Sequence, residues 1–239
     1  MPVVTVEGPI GAGAPEVGVI VSKLLDADYV DRAILADAAR TMGTTVQVLE
    51  IKHGRIPLRA RIAQFLQTML ERSAMSSGAG EPYAFYNVDY VLGEDYTDLA
   101  QEPLTAAQRL NDEHFIEATG SVIRDLAAGG NVVIIGRGST MFLKDFPGVL
   151  HVGLVAPLEA RIRNIEEREH LTRLEAEEHA DNTERARIAY FRKFFKVDPN
   201  DPTLYHIVLN MAHVGADTLA EIIAHSATDL ARADVVSQA

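Results

Sequence analysis

Cysteine is absent from all 239 residues. That excludes disulfides, thiolate metal sites and a cysteine nucleophile, and it is compatible with a cytoplasmic setting. No uninterrupted apolar run reaches the roughly 20 residues of a membrane span, so no membrane partner is expected. The chain begins MPVVTVEGPIGAG and enters a β-rich run at once, without the charged start and long apolar stretch of a secretory leader. Basic residues are in deficit: 22 Lys and Arg against 34 Asp and Glu give a net charge of −12. Binding to a nucleic-acid polymer depends on neutralising phosphates and is not expected of such a chain. The eight histidines form no H-E-x-x-H or other close ligand pair, so no metal ligands are assigned. No G-x-S-x-G nucleophile turn is present.

What remains is enough for a substantial core, with 47% hydrophobic residues. Val3–Val6 reads as a buried strand, and Pro15 to Leu25 as a helix with proline in its first turn, where a missing N–H costs nothing. Asp28–Val30 suggests a second strand, followed by a helix over Asp31–Met42 and another helical pattern over Pro57–Arg72. Ser73 to Pro103 is irregular and long enough to be a lid, a binding loop or an interface arm. A helix is predicted over Thr105–Ala128, strands over Asn131–Ile135 and Val149–Val155, and helices over Pro157–Arg168 and Leu171–Phe195. Tyr205–Leu209 reads as a last strand and Thr218–Ala231 as a closing helix. Apolar strands alternating with helices predict an α/β fold: a three-layer parallel sheet with helices on both faces. Ligands of such sheets bind beyond the carboxyl ends of the strands, so functional residues are expected after Val6, Val30, Ile135 and Val155.

Gly8-Pro9-Ile10-Gly11-Ala12-Gly13 lies between the first strand and the first helix, with the spacing that opens the phosphate-binding motif G-x-x-x-x-G-K-[ST]. Backbone N–H groups and the positive end of a helix can hold phosphate there. Gly8, Gly11, Ala12, Gly13 and Ala14 are the candidate phosphate-binding residues. The motif then fails: Ala14 stands where the lysine belongs, and Pro15 where Ser or Thr would hold Mg²⁺. A lysine about 4 Å from a phosphate, at an effective dielectric of ~20, contributes roughly 4 kcal/mol. If that interaction acts only in the transition state, its loss costs about a thousandfold in rate. Another cation substitutes, or catalysis is weak, or the loop only binds. A plain strand–helix turn without a ligand is the alternative.

Seven arginines fall in one stretch: Arg161, Arg163, Arg168, Arg173, Arg185, Arg187 and Arg192. Most are read as partners of the interspersed glutamates on solvated helices.

The string VVIIGRGSTMFLKDFPGVLHVGLVAPLEARIRNIEERE, then ERARIAYFRKFFKVDPNDPTLYHIVLN, resembles the cytidylate kinase-like family. GAGAPEVG, Tyr29-Val30-Asp31-Arg32 and Gly136-Arg137-Gly138 carry the resemblance further, while residues from about Met42 to Pro103 match poorly. The resemblance implies a P-loop kinase fold as one domain over 1–239, with an acceptor-side insertion over 44–104 and a helical lid over 156–196. It implies an ATP donor with Mg²⁺ and a CMP-like nucleotide acceptor. By position, Asp31 and Arg32 would contact the acceptor, as would Glu184 and Arg187, spaced like an acceptor-side D-x-x-R. Arg137 would match the arginine of a G-R-D motif, with Gly138 in place of the aspartate. Arg161 and Arg163 would grip donor phosphates from the lid. Arg137, Arg161 and Arg163 are thus the candidate catalytic residues. Plainer roles stand beside these: an ion pair for Arg137, a solvated helix face for Arg161 and Arg163, and a helix cap for Asp31.

Two other readings stay open. Ala14 and Pro15 suit a degenerate nucleotide-binding or regulatory module. VEGPIGAG and Glu71-Arg72-Ser73 are similar to deoxynucleoside kinase motifs, a minor alternative. The aromatic segment Pro82–Tyr90 is read as a packing surface in a homodimer, with base stacking as its alternative.

Overall fold

The structure, a computed structural model, describes residues 1–35, Leu58, Ile62 and 106–237, with side chains described to 233 and from 116 onward in the second half. The Ser73–Pro103 segment, Glu71-Arg72-Ser73 and Pro82–Tyr90 lie outside the described residues, as do most of the insertion over 44–104 and of the helices expected over Asp31–Met42 and Pro57–Arg72. Residues 32–35, Leu58 and Ile62 are helical.

Five strands, β1 (Val3–Glu7), β2 (Asp28–Val30), β3 (Val132–Ile135), β4 (Val149–Val155) and β5 (Ile207–Asn210), form one sheet in the order β2-β3-β1-β4-β5. All four pairings are parallel. β1 is central, with Val6 opposite Ile135 on one side and Val152 on the other. The crossovers are α1 (Ala14–Leu24), α2 (Ala106–Gly129), α3 (Ser139–Phe142), α4 (Leu158–Glu169) and α5 (Arg173–Phe195); α6 (Ala216–Ser237) closes the fold. Among the described residues, no helix is long and apolar enough to cross a membrane.

Period-2 alternation sorts the strand residues between two cores. Val4, Val6, Val133, Ile135, Leu150 and Val152 pack with Val17 and Val21 of α1 and Ile223 of α6. Val3, Val132, Ile134 and Val149 pack on the other face with Ile123 and Leu126 of α2, and with Ile62. Both faces of the sheet are therefore covered, as apolar parallel strands require.

Several element ends differ from expectation, with local causes. α5 starts at Arg173 rather than Leu171 because Thr172 and Glu175 form a reciprocal capping box. β5 starts at Ile207 because Pro202–Leu204 makes a turn of 3₁₀ helix, and Tyr205 ends it. α3 was not predicted: its four residues are too few to show a helical period.

Toward the carboxyl end, the α2–α3 face of the sheet turns polar. Thr5, fully buried, shares hydrogen bonds with Thr140 Oγ1 at 2.9 Å and His151 Nδ1 at 2.8 Å. Burial, reinforced by neighbouring His206, lowers the His151 pKa to about 4, so its ring is neutral near pH 7. Thr5→Val keeps the shape and strands two buried polar groups. Urea unfolding should show a loss of about 1–3 kcal/mol. A loss under a few tenths would mean that this network adds no stability.

Candidate functional site

A cavity of about 480 Å³ opens beyond the carboxyl ends of β1, β2 and β3. Its walls come from the glycine-rich loop (Gly8 to Gly11, then Ala14 and Pro15), from Asp31 to Ala33 after β2, from Ile135 to Arg137 after β3, and from Arg168, Glu169, His179, Thr183 and Arg187 on α4 and α5. Three of the four strand ends singled out from the sequence thus converge. The fourth, Val155, leads into α4, which reaches the back of the loop.

The loop holds its shape through left-handed glycines. Gly11 has φ +79° and Gly13 φ +83°, conformations that L-residues with a Cβ rarely adopt. A Cβ on Gly11 would also lie 2.5 Å from the backbone oxygen of Arg161. Ala12 N–H donates to the Pro9 carbonyl at 3.0 Å, closing a tight turn. Gly13 serves as N-cap of α1 with no side-chain cap, which leaves the helix start open toward a ligand. Ala12 and Gly13 do not line the cavity; Ala12 packs into the core beneath it. Gly11→Ala should destabilise by about 2–4 kcal/mol, from left-handed strain plus the backbone clash. Chemical unfolding at pH 7.5 measures it, and a change under 0.5 kcal/mol would contradict this geometry.

Asp31 caps a helix and also lines the cavity. Its Oδ1 accepts from Ile34 N–H at 2.9 Å, capping the helical residues that follow, and its Oδ2 accepts from Tyr29 Oη at 3.0 Å while the residue lines the cavity. Arg32 lines the same wall.

Arg137 is buried at the cavity floor. It carries φ +65° between Gly136 and Gly138, which are also left-handed. A non-glycine residue held there costs roughly 1–2 kcal/mol, and such strain concentrates at functional sites. Tyr190 Oη donates to its carbonyl at 3.3 Å, supporting the turn.

Arg187, only 2% exposed, is clamped by Glu184. Its Nε and Nη2 donate to the two carboxylate oxygens at 3.0 and 2.9 Å, and Nη2 also donates to Asn200 Oδ1 at 2.5 Å. This fixes a bidentate fork beside the cavity. Glu184 therefore orients Arg187 and does not itself line the cavity.

Arg161 and Arg163 lie elsewhere than expected. Arg161 is buried behind the loop, where its Nε donates to the Ile10 carbonyl at 2.8 Å. Burial pulls its pKa below the usual guanidinium value; Glu184 opposes the shift and Arg187 adds to it. Arg163 is exposed on α4 and lines no part of the cavity. Residue spacing placed both on one helix; only packing shows which side of that helix meets the loop.

Several site residues were not singled out from the sequence. Arg168, which the sequence groups with the solvated arginines, lines the cavity, paired to Glu169 at 2.8 Å and Glu16 at 3.6 Å. His179 and Thr183 fall two turns and one turn before Arg187 on α5, a helical spacing that flags them. Glu7 is the largest omission. It ends β1 directly before the loop, is 1% exposed, and has no aligned hydrogen bond on either carboxylate oxygen. Burial raises its pKa to about 7, against the nearby Arg187 charge and the Gly138 and Ser139 amides.

The sign follows. Between about 4.5 and 7, folded Glu7 holds a proton that the unfolded chain releases. Its contribution to stability is full below pH 4.5 and is lost as pH rises through about 7. Glu7→Gln should therefore be more stable than wild type at pH 8, by up to about 3 kcal/mol, and lose that advantage near pH 4.5. Urea unfolding at both pH values tests this; an offset independent of pH would refute it.

Among the described residues, no group of three or more His, Asp or Glu is arranged to hold a metal ion. Pro15 has no hydroxyl to offer Mg²⁺, so the loop lacks the ligand that a phosphate-loop site supplies there. Among the described residues, the loop therefore does not fit a protein-held Mg²⁺.

The parallel sheet centred on β1, the glycine-rich loop at its exit and the arginine-floored cavity define the P-loop kinase class of fold. The cytidylate kinase-like family matches residues 3–213, and the chain belongs to that family. Over 95 residues it is 28% identical to a cytidylate kinase of Methanoregula boonei, covering 39% of this chain and 51% of that relative. The match thus spans about half the length of the curated relative. An uncharacterized protein from Eubacterium ventriosum has a similar fold, with TM-score 0.60 and 15% identity, over 95% of this chain and 98% of that one. A shikimate kinase from Acinetobacter baumannii aligns over 93% of this chain and 90% of its own at TM-score 0.44 and 14% identity, too distant to argue from.

Proposed function

We propose that this protein is a kinase-type phosphotransferase that moves a phosphoryl group from a nucleoside triphosphate, ATP in the simplest case, to a nucleoside monophosphate of the CMP kind. One observation carries the reading: Arg137 and Arg187 border a cavity whose other wall is the glycine-rich loop. Two polyanions can meet there, one on the loop and one on the arginines. The family membership supports the kinase class, and the acceptor's base rests on resemblance.

The chemistry asks little covalent help of the protein. Donor phosphates lie on the Gly8–Gly13 turn at the open start of α1. An acceptor phosphate oxygen attacks the γ-phosphorus as the bond to the β–γ bridging oxygen breaks, and the diphosphate leaves. The acceptor is already anionic, so no base is needed. Arg137 and Arg187 hold the acceptor phosphate, Asp31 and Arg32 contact the acceptor nucleotide, and Glu184 keeps Arg187 oriented. Arg161, behind the loop with Nη2 buried and bonded to no described group, supplies positive charge near the position where the Walker lysine is missing. Arg163 would serve only if α4 and α5 turn it inward as a lid.

A second reading, a nucleotide-binding module without turnover, draws on Pro15 and on the tie between Arg161 and Ile10. A coupled assay with CMP, dCMP, UMP and AMP separates the two, run alongside a thermal-shift screen. Turnover is expected with at least one pyrimidine nucleotide. Arg137→Met should lower kcat/KM by about a hundredfold or more. No turnover with any acceptor, at enzyme levels matching the acceptor, would sink the enzyme reading. A nucleotide at about 100 times its Kd should still stabilise a pure binding module by roughly 2.7 kcal/mol.

A further inference from the structure

The back of the glycine-rich loop is stitched to α4. Arg161 Nε donates to the Ile10 carbonyl at 2.8 Å, and Asn164 Nδ2 donates to the Gly11 carbonyl at 2.8 Å. A carbonyl can only accept, so the amide of Asn164 must present its NH₂ group there. The two donors sit three residues apart on α4, one turn of one helix face. Between them the Ile10 side chain enters the apolar cluster of Ile162, Ile165, Ala176 and Ala180, which joins α4 to α5. Gly11 lies so close to the Arg161 backbone that a Cβ would reach its oxygen at 2.5 Å.

These contacts set how the loop's peptides face. Across a trans peptide, the N–H of one residue points opposite to the C=O of the residue before it; no peptide in the described structure is cis. Turning the Ile10 and Gly11 carbonyls toward α4 therefore turns the Gly11 and Ala12 amides away from it. Ala12 N–H is used within the loop by the Pro9 carbonyl. The Gly11 amide is left on the side away from α4, on a residue that lines the cavity. A flip of either peptide would replace a donor with a carbonyl oxygen, which repels phosphate. The lysine that would hold donor phosphates directly is absent, so the loop depends more heavily on presenting its amides correctly.

We propose that Asn164 is a positioning residue for the donor phosphates: with Arg161 and Ile10 it fastens the loop to α4, so that the loop and the α4–α5 pair respond to ligand as one body. This rests on the phosphotransferase reading for its purpose, and on the contacts above for its mechanics. It follows that the loop and α4–α5 sides of the cavity keep their relation, while Asp31 to Ala33 form the opposing side.

Asn164 is an exposed helical residue, so alanine there favours the helix and leaves the fold intact. Asn164→Asp keeps the shape and removes the donor. Hydrogen exchange on the full-length chain should show residues 10–14 exchanging about tenfold faster in both variants, with β3 unchanged. The KM for ATP should rise about tenfold, with the acceptor KM unchanged and the melting temperature lowered by no more than about 5 °C. Asn164→Gln, which keeps the NH₂ group on a longer arm, should recover part of the effect. Unaltered exchange at residues 10–14 in both the Ala and Asp variants would overturn the proposal, as would equal rises in both KM values. A wild-type chain that neither binds nor turns over ATP would overturn the functional reading instead, and the exchange result would still decide whether Asn164 holds the loop.

Discussion

The central place of β1 organises everything around it. Because β1 pairs in parallel with both β3 and β4, the chain leaving Glu7 emerges in the middle of the sheet edge. It meets the left-handed turn that follows β3 on one side and the start of α4, after β4, on the other. The glycine-rich loop is short and turns back into α1, so it must fit between these neighbours. Its glycines answer that confinement, and the cavity is the space left in front of it. Asp31, Arg32 and Arg137 reach this space from strand ends, and Arg168 and Arg187 from the two helices that follow β4.

Charge at the site is arranged unevenly. Arg187 is buried and held by the carboxylate of Glu184 and by Asn200. Glu7 lies near the same guanidinium without an aligned hydrogen bond, and burial holds much of it protonated near pH 7. A fully ionised Glu7 would offset part of the positive field of Arg187, and protonation leaves more of that field intact. Arg137, in a strained backbone conformation, adds a second cation from β3. Among the described residues, four arginines and two carboxylates line the cavity, within a chain of net charge −12. Overall acidity argues against long polyanions and says little about a small one held in a cavity.

The sheet and its helices were legible because apolar strands and amphipathic helices repeat with distinct periods. Val149–Val155 matches its expected limits, and Asp28–Val30 does too. The loop was legible from Gly8, Gly11 and Gly13, and the cavity from the strand ends at Val6, Val30 and Ile135. Side-chain direction was not. Arg161 and Arg163 are two residues apart, which on a helix places them on different sides, and only the packing of Ile162 and Ile165 decides which side is buried. Glu7 read as the end of a strand, since nothing local shows that Gly138, Ser139 and Arg187, all more than 130 positions away, gather around it. Asn164 carries no motif, and its hydrogen bond reaches a residue 153 positions away.

A crystal structure with a non-hydrolysable ATP analogue and CMP bound together would test the central claim most directly. Phosphates of the analogue should lie against the Gly8–Gly13 turn at the start of α1, with the CMP phosphate between Arg137 and Arg187. A loop without phosphate, or a CMP phosphate bound away from both arginines, would contradict a phosphotransfer site at the exit of β1.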